Sequence, residues 1–81
     1  MKIKVLFFAR LKEIFGESSC WVEVPEGSCV RELLGYLTEP GAEYILKEFP
    51  LIFAVNEEFE TDGRRLKDRD ELALMMPMSG G

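Results

Sequence analysis

One amphipathic segment near the middle of the chain constrains the fold more than any other feature. Its apolar residues follow the i, i+3, i+4, i+7 spacing of a helix with one buried face, and they are Val30, Leu33, Leu34 and Leu37. Ser28 precedes them as a favourable N-cap residue. Gly35 costs such a helix about 1 kcal/mol relative to Ala. We therefore expect packing against a second layer, rather than helix propensity, to stabilise it.

Strand-like segments flank this helix on both sides. The predicted elements, in chain order, are a strand at 2–9, a short helix at 10–15, a strand at 19–24, the main helix at 30–37, an irregular helical stretch at 42–48, and strands at 51–55, 59–60 and 71–76. These strands are too few for a sandwich. The pattern predicts a two-layer α+β domain, in which the main helix packs on one face of a mixed sheet of four to five strands.

The first and last strands predict an exposed apolar patch. Lys2 and Lys4 place the even-numbered face of the first strand in solvent, and Glu71 does the same for the odd-numbered face of the last strand. If these strands are neighbours, the uncovered face of the sheet carries an apolar patch formed by Leu6, Phe8, Ala73 and Met75. The alternative is a loop that covers this face, or a different parity in one strand. We expect the patch to bind a partner protein.

The charge of the chain and its lack of histidine exclude several kinds of function. The 81 residues contain no His, so Ser-His-Asp and Cys-His catalysis and imidazole metal sites cannot be built from this chain. The net charge of −5 disfavours nucleic acid and anionic membranes as partners, and the acidic residues at 57–62 suit a basic protein. Asp68, Asp70 and Glu71 are predicted to be solvated turn residues rather than catalytic acids, and no metal site is predicted.

The two cysteines are interpreted as free, buried thiols. Eight residues separate Cys20 from Cys29, a spacing that fits neither a C-x2-C site nor a disulfide framework. A thioester-carrier role for either thiol is a weaker alternative. The apolar run at 5–9 is too short for a signal peptide or a membrane span. Together these features predict a cytoplasmic protein.

The C-terminal residues are the strongest candidates for covalent chemistry. Ser79, Gly80 and Gly81 follow the last strand and Pro77. Because Gly lacks a Cβ, such a tail can enter a narrow channel in a partner. Its carboxylate is ionised and a poor electrophile until it is converted to an acyl-adenylate. We therefore expect a folded domain at 1–77 and a flexible tail at 78–81; a frayed polar end is the alternative.

Four segments resemble the small subunits of molybdopterin synthase, the MoaD-type sulfur carriers. They are KVLFFARLKEIFG, AVNEEF, LKDRDELALMMP and the terminal SGG. The resemblance covers both ends and the third quarter of the chain and is weakest at 35–49. It implies a ubiquitin-like β-grasp fold, with the first and last strands as parallel neighbours at the centre of the sheet. Met75 and Met76 stand where aromatic residues are common in the family, and the adaptable Met side chain should preserve binding.

The resemblance also implies a function for the tail. Gly81 would be adenylated by a ubiquitin-activating-type adenylating enzyme that uses ATP and Mg²⁺, and a sulfur donor protein would then convert it to a thiocarboxylate. Gly80 and Ser79 would enter the large subunit of molybdopterin synthase, where the sulfur passes to cyclic pyranopterin monophosphate. Phe8 and Met75 would contact that large subunit and the adenylating enzyme. The small chain would be a non-catalytic member of a heterotetramer, with no bound cofactor and with the active site on the large subunit.

Two alternative functions share the Gly-Gly end and the fold. One is a sulfur carrier of the thiamine pathway, although such carriers tend to be shorter and lack so clear a helix at 10–15. The other is a ubiquitin-like modifier or binding module, in which Gly81 is joined to a Lys or does no chemistry.

Overall fold

The computed structural model describes residues 1–37, 47–48 and 50–77 of the chain. Its elements are β1 (Lys2–Phe7), α1 (Arg10–Phe15), β2 (Ser19–Glu23), α2 (Val30–Leu34), β3 (Ile52–Val55), β4 (Glu58–Glu60) and β5 (Glu71–Met75). Of the helical stretch predicted at 42–48, only residues 47 and 48 are described, and both are helical. The predicted flexible tail at 78–81 lies outside the described residues.

The strands form one mixed sheet in the order β2-β1-β5-β3-β4. β1 and β5 are parallel at its centre, with Val5 opposite Leu72 and Phe7 opposite Leu74. The other neighbouring pairs are antiparallel. The predicted α+β class and the β-grasp arrangement are thus confirmed, with five strands in the sheet.

The core lies between this sheet and the two helices. The odd-numbered residues of β1 face it, as the alternation predicts, and Ile3 and Val5 have no exposed surface. Both α1 and α2 contribute to it, and the buried cluster includes Leu11, Phe15, Val30, Leu33, Val55, Leu66, Leu72 and Leu74. The rings of Phe7 and Phe15 stack with centroids 4.2 Å apart and an interplanar angle of 10°. This stack joins α1 to the end of β1.

α2 begins at a different cap from the predicted one. The Ser28 hydroxyl donates to the Pro25 carbonyl at 2.7 Å, so it closes the preceding turn instead of capping the helix. Cys29 is the N-cap residue, and its N–H donates to the Glu32 carboxylate at 3.1 Å. This bond satisfies one of the backbone groups left open at a helix start.

α2 is also shorter than predicted, because it ends at Leu34 rather than Leu37. The N–H groups of Gly35, Tyr36 and Leu37 donate to carbonyls three residues earlier in the chain. Such bonds tighten the last turn, and Gly35 supplies little propensity to resist the change. Leu37 nevertheless packs against the core. All four apolar residues predicted for the helix therefore contribute to the core, although the helix itself is short.

Candidate functional site

The predicted apolar patch lies on the face of the sheet opposite the core. Leu6 of β1 pairs with Ala73 of β5, and both side chains are half-buried, as is Met75. Phe8 directly follows β1, is 46% exposed and shares a cleft of about 370 Å³ with Leu6. The structure therefore brings the four predicted residues to one surface, while their role in binding stays a prediction.

Two further apolar residues extend this surface toward the opposite edge of the sheet. Ile52 pairs with Met75 across β3 and β5 and is 37% exposed. Phe59 of β4 pairs with Ala54, which in turn pairs with Ala73, and Phe59 is 77% exposed. We call the combined surface the open-face patch, formed by Leu6, Phe8, Ile52, Phe59, Ala73 and Met75.

The sequence gives misleading signals for both added residues. Phe59 stands between Glu58 and Glu60, and this alternation predicts that Phe59 is the buried member. In the structure Phe59 is exposed, and Glu60 is the half-buried residue, which forms an ion pair with Arg64. Ile52 lies in a continuous apolar run, and without alternating polar residues the sequence does not show which of its side chains face the core.

A strained turn separates the buried end of β1 from the exposed patch. Ala9 has φ 49° and ψ −121°, a conformation that residues with a Cβ rarely adopt. The Phe8 carbonyl accepts a hydrogen bond from Leu11 N–H at 3.1 Å, and α1 begins immediately afterwards. Phe7 points into the core, 2% exposed, by the alternation of β1, whereas Phe8, just before the turn, faces solvent.

The chain leaves β5 beside this turn. Because β1 and β5 are parallel, their C-terminal ends lie at the same edge of the sheet, and Phe7 pairs with Leu74 there. Met76 packs against the core, and exposed Pro77 is the last residue described before the tail. The predicted reacting residue Gly81 and its neighbours Gly80 and Ser79 lie outside the described residues. Their attachment point is nevertheless next to the Phe8 end of the open-face patch.

Carboxylates border the other end of the patch. Asn56 and Glu57 form the turn between β3 and β4 with φ of 50° and 71°, and Glu57 and Glu58 are exposed beside Phe59. Within the described part of the chain, neither of these two carboxylates has an ion pair, whereas Asp62 lies 3.4 Å from Arg31. The surface is therefore apolar with an acidic border.

The carboxylates before β5 are structural, and the prediction that Asp70 is solvated is wrong. Asp70 is 8% exposed and accepts hydrogen bonds from Lys67 N–H at 2.8 Å and from the Asn56 side chain at 2.9 Å. Asp68 accepts from the Lys2 N–H at 2.8 Å. These bonds fasten the loop to β1 and to the β3–β4 turn. Among the residues that the structure describes, no group of three or more acidic, Cys or His side chains could hold a metal ion.

Both cysteines are free, but only Cys29 is fully buried. Burial raises the pKa of the half-buried Cys20 thiol, and the neighbouring Glu17 carboxylate raises it further. A neutral thiol is a poor nucleophile, which argues against the thioester role. Across residues 1–37, 47–48 and 50–77, no helix is long and apolar enough to cross a membrane.

Comparison with known proteins agrees with this geometry. The ThiS family matches residues 5–81. A molybdopterin synthase sulfur carrier subunit from Arabidopsis thaliana is 39% identical over all of this chain and 84% of its own length, and one from Chlamydomonas reinhardtii is 35% identical over the whole of both. The small archaeal modifier protein 1 of Methanosarcina acetivorans superposes with a TM-score of 0.80 at 26% identity, covering 99% of this chain and 96% of that one. The chain therefore belongs to the ThiS family of ubiquitin-like proteins and, along its full length, to the molybdopterin synthase sulfur carrier subunits.

Proposed function

We propose that this chain carries sulfur for the synthesis of molybdopterin, with the Gly81 carboxylate as the group that accepts and releases it. The similarity to relatives along the full chain carries the proposal: these relatives are named sulfur carrier subunits, and Gly80 and Gly81 here follow β5, Pro77, Met78 and Ser79. The described residues add no competing site at the carboxylates before β5 or at Cys20, because Asp68 and Asp70 make structural hydrogen bonds and burial raises the pKa of the Cys20 thiol.

The chemistry proceeds through activation of the terminal carboxylate. Gly81 attacks the α-phosphate of ATP on an adenylating enzyme, which releases pyrophosphate and gives the acyl-adenylate. A persulfide of a donor protein then displaces AMP to give an acyl disulfide. A thiol cleaves its S–S bond, which leaves the thiocarboxylate on Gly81 and a disulfide on the donor. The acids, bases and Mg²⁺ for these steps come from the partners. This chain contributes the reacting terminus and, in Gly80 and Ser79, a tail narrow enough to reach an enclosed site.

The open-face patch is the surface that docks the large subunit of the synthase. The relatives are named as subunits, so an assembly with a second chain is expected. The exit of β5 lies beside Phe8, so a partner that covers the patch is also placed to receive the tail. The cyclic pyranopterin substrate and the active site then belong to that partner.

Intact-mass measurement tests the central step. We expect incubation with the adenylating enzyme, ATP and a sulfur donor to raise the mass by the difference between one sulfur and one oxygen. A chain extended by one residue after Gly81 should show no such gain, although its circular dichroism and unfolding midpoint should match those of the original chain. No mass change in the unextended chain would refute the proposal.

A protein-modifier function is the second candidate, and the similarity to a small archaeal modifier protein favours it. In that case Gly81 forms an isopeptide bond with a Lys of another protein. The same incubation, repeated with a cell extract, would give a ladder of larger conjugates in place of the sulfur adduct. A thiamine-pathway carrier would give the sulfur adduct but would release no sulfur to cyclic pyranopterin monophosphate when the large subunit is added.

Truncation of the patch should weaken docking without loss of stability. Because Phe59 is 77% exposed, Phe59→Ala should leave the unfolding midpoint nearly unchanged, yet it should weaken binding to the large subunit about tenfold or more, as loss of an aromatic interface anchor does. Calorimetric titration measures the affinity. Tyr36→Ala is the matched control, since Tyr36 is a 49% exposed aromatic that follows α2. Equal affinities for the two variants would remove the patch from the interface.

A further inference from the structure

Among residues 1–37, 47–48 and 50–77, no strand pairs with the outer edge of β2. β2 is the terminal strand of the sheet, and β1 is its one neighbour there. Met1 and Val24 exchange two backbone hydrogen bonds, and Phe7 N–H donates to Ser18, so the antiparallel ladder directs the N–H and C=O groups of Cys20 and Val22 toward β1. The same alternation directs the backbone groups of Ser19, Trp21 and Glu23 outward. Among the described residues, nothing bonds to these outward groups.

Within the strand itself, β2 carries few of the devices that prevent strand pairing. Natural sheets protect an edge with charged residues such as Lys, with Pro, a bulge or a very short strand, or with a covering helix or loop. β4, at the other end of the sheet, is three residues long and carries two Glu. β2 has five residues, and Glu23 is its one charged member. Its central residue Trp21 is 56% exposed, so the edge combines free backbone groups with a large apolar side chain.

A cleft lies on each side of the β2 backbone. One, of about 320 Å³, is lined in part by Cys20, Val22 and Tyr36 on the helix side. The other, of about 430 Å³, is lined in part by Lys2, Trp21 and Arg69. A strand added to an edge directs alternate side chains to opposite faces of the sheet. The two clefts therefore offer space for both sets of side chains of an added strand.

We propose that β2 pairs with β2 of a second copy of this chain, antiparallel and centred on Trp21, so that the two sheets become continuous. In this register Ser19 lies opposite Glu23 of the second copy, Cys20 lies opposite Val22, and the two Trp21 side chains are neighbours. All five residues of each strand are paired. Because the outward backbone groups belong to the odd-numbered residues, Trp21 with Trp21 and Ser19 with Glu23 are hydrogen-bonded pairs, whereas Cys20 and Val22 form a non-hydrogen-bonded pair.

The charges fit this arrangement. Glu23 pairs with Lys2 on the β1 side, and the proposed register places the Ser19 hydroxyl of the second copy on its other side as a hydrogen-bond donor. Lys4 pairs with Trp21, so a cation flanks the aromatic pair from each copy. No two carboxylates of β2 face each other. A register centred on Glu23 would instead oppose the two glutamates, which is unfavourable.

The dimer is expected to be weak and favoured by salt. A single pair of edge strands buries less surface than a standard stable interface. Each copy also carries a net charge of −5, and screening of this repulsion should strengthen association. The strands β5, β3 and β4, with most of the open-face patch, lie across β1 from the new contact. Self-association therefore leaves the proposed partner surface accessible.

Sedimentation velocity from micromolar to millimolar concentration tests the dimer, with Trp fluorescence as a second readout. Trp21 is the one Trp of the chain, so its emission should shift to shorter wavelength as the dimer forms. A monomer throughout this range would overturn the proposal. So would a dimer whose formation leaves the emission unchanged, because Trp21 would then lie outside the interface.

Two substitutions with opposite expected signs test the register. Ser19→Glu places a carboxylate opposite Glu23 at both ends of the paired strands, so it should weaken the dimer about three- to tenfold. Ser19→Lys places a cation opposite Glu23 instead and should strengthen the dimer by a similar factor. Thr61→Glu and Thr61→Lys are the matched controls, since they change the net charge equally at an exposed position outside β2. Equal effects at positions 19 and 61 would refute the register. If Ser19→Glu fails to fold, the gain expected for Ser19→Lys still decides the question.

Discussion

At the start of α2, the Glu32 carboxylate accepts a hydrogen bond from the Cys29 N–H and lies 3.8 Å from the Arg65 guanidinium. The backbone bond from Cys29 is the largest cause that holds the pKa of Glu32 below its usual value, followed by the Cys29 side chain and by the charges of Arg65 and Arg31. A carboxyl whose pKa is lower in the folded state stabilises the protein above its unfolded-state pKa. That contribution is lost as the pH falls through the folded-state pKa.

Glu32→Gln should therefore reduce the sensitivity of the protein to acid. Gln can still accept the Cys29 hydrogen bond, but it lacks the charge that faces Arg65. We expect the variant to be less stable than the original chain at neutral pH, and this difference to shrink as the pH drops below the folded-state pKa. Urea unfolding at a series of pH values measures it. Glu26→Gln, at an exposed position with no described ion pair, is the control and should give a difference that changes less with pH.

Individual residues also mark where sequence patterns stop being informative. Ile3 and Val5 are assigned correctly because a regular alternation with Lys2 and Lys4 leaves one face for the core. The same rule would bury Phe59, yet Phe59 is exposed, because its neighbour Glu60 lies on the core side of β4 and forms an ion pair with Arg64. Asp70 is buried for a related reason: its hydrogen-bond partner Asn56 is distant in sequence and only the fold brings the two together.

At the scale of elements, the turn between β1 and α1 decides how the patch is presented. Ala9 holds a backbone conformation that costs of the order of 1–3 kcal/mol for a residue with a Cβ. This turn lets the chain pass directly from Phe8, which faces outward, into α1, whose Leu11 and Phe15 are buried. The turn thus connects the packing of α1 to the exposure of a predicted partner contact.

Substitution of Ala9 should change stability in a direction set by this strain. Ala9→Gly relieves it and should raise the free energy of unfolding by about 1 kcal/mol, whereas the β-branched Ala9→Val should lower it by about 1–2 kcal/mol. Chemical denaturation measures both variants. Ala73→Gly is the control, because Ala73 lies within β5 and the change there should destabilise by roughly 0.5–1 kcal/mol. A destabilised Ala9→Gly protein would show that the turn is not strained.

Among the elements, those with local signals are the ones the sequence predicts well. α1 has its predicted bounds because Gly16 takes the left-handed conformation, φ 74°, that ends a helix. The end of α2 is missed because the apolar spacing continues to Leu37 while the backbone tightens after Leu34. The parallel pairing of β1 with β5 has no local signal, and its prediction depended on the family resemblance.

At the scale of the whole molecule, the acidic surface should give opposite salt effects on two associations. Proposed self-pairing of β2 brings like-charged copies together and should strengthen with salt. Docking of a basic partner at the acidic border of the open-face patch should be accelerated by attraction and should slow as salt is added. The two associations can therefore be separated by ionic strength alone.

Neutralising the acidic border should slow docking more than it affects dissociation. The double variant Glu57→Gln, Glu58→Gln removes two exposed carboxylates beside Phe59. We expect its association rate with the large subunit to fall severalfold at low salt and to approach that of the original chain at high salt, with little change in the dissociation rate. Stopped-flow or surface-binding kinetics measures both rates. An unchanged association rate would mean that these carboxylates do not steer the partner.

The central position of β5 makes folding of the whole sheet depend on residues 71–75. β1 gains its parallel neighbour only when residues 71–75 are available, and without them β3 and β4 have no strand that links them to β1 and β2. Such long-range pairing forms late and requires a large loop to close. Chains interrupted before β5 should thus remain unfolded and open to proteolysis. Chains that lack residues 71–75 would in this way be degraded before they could occupy a partner.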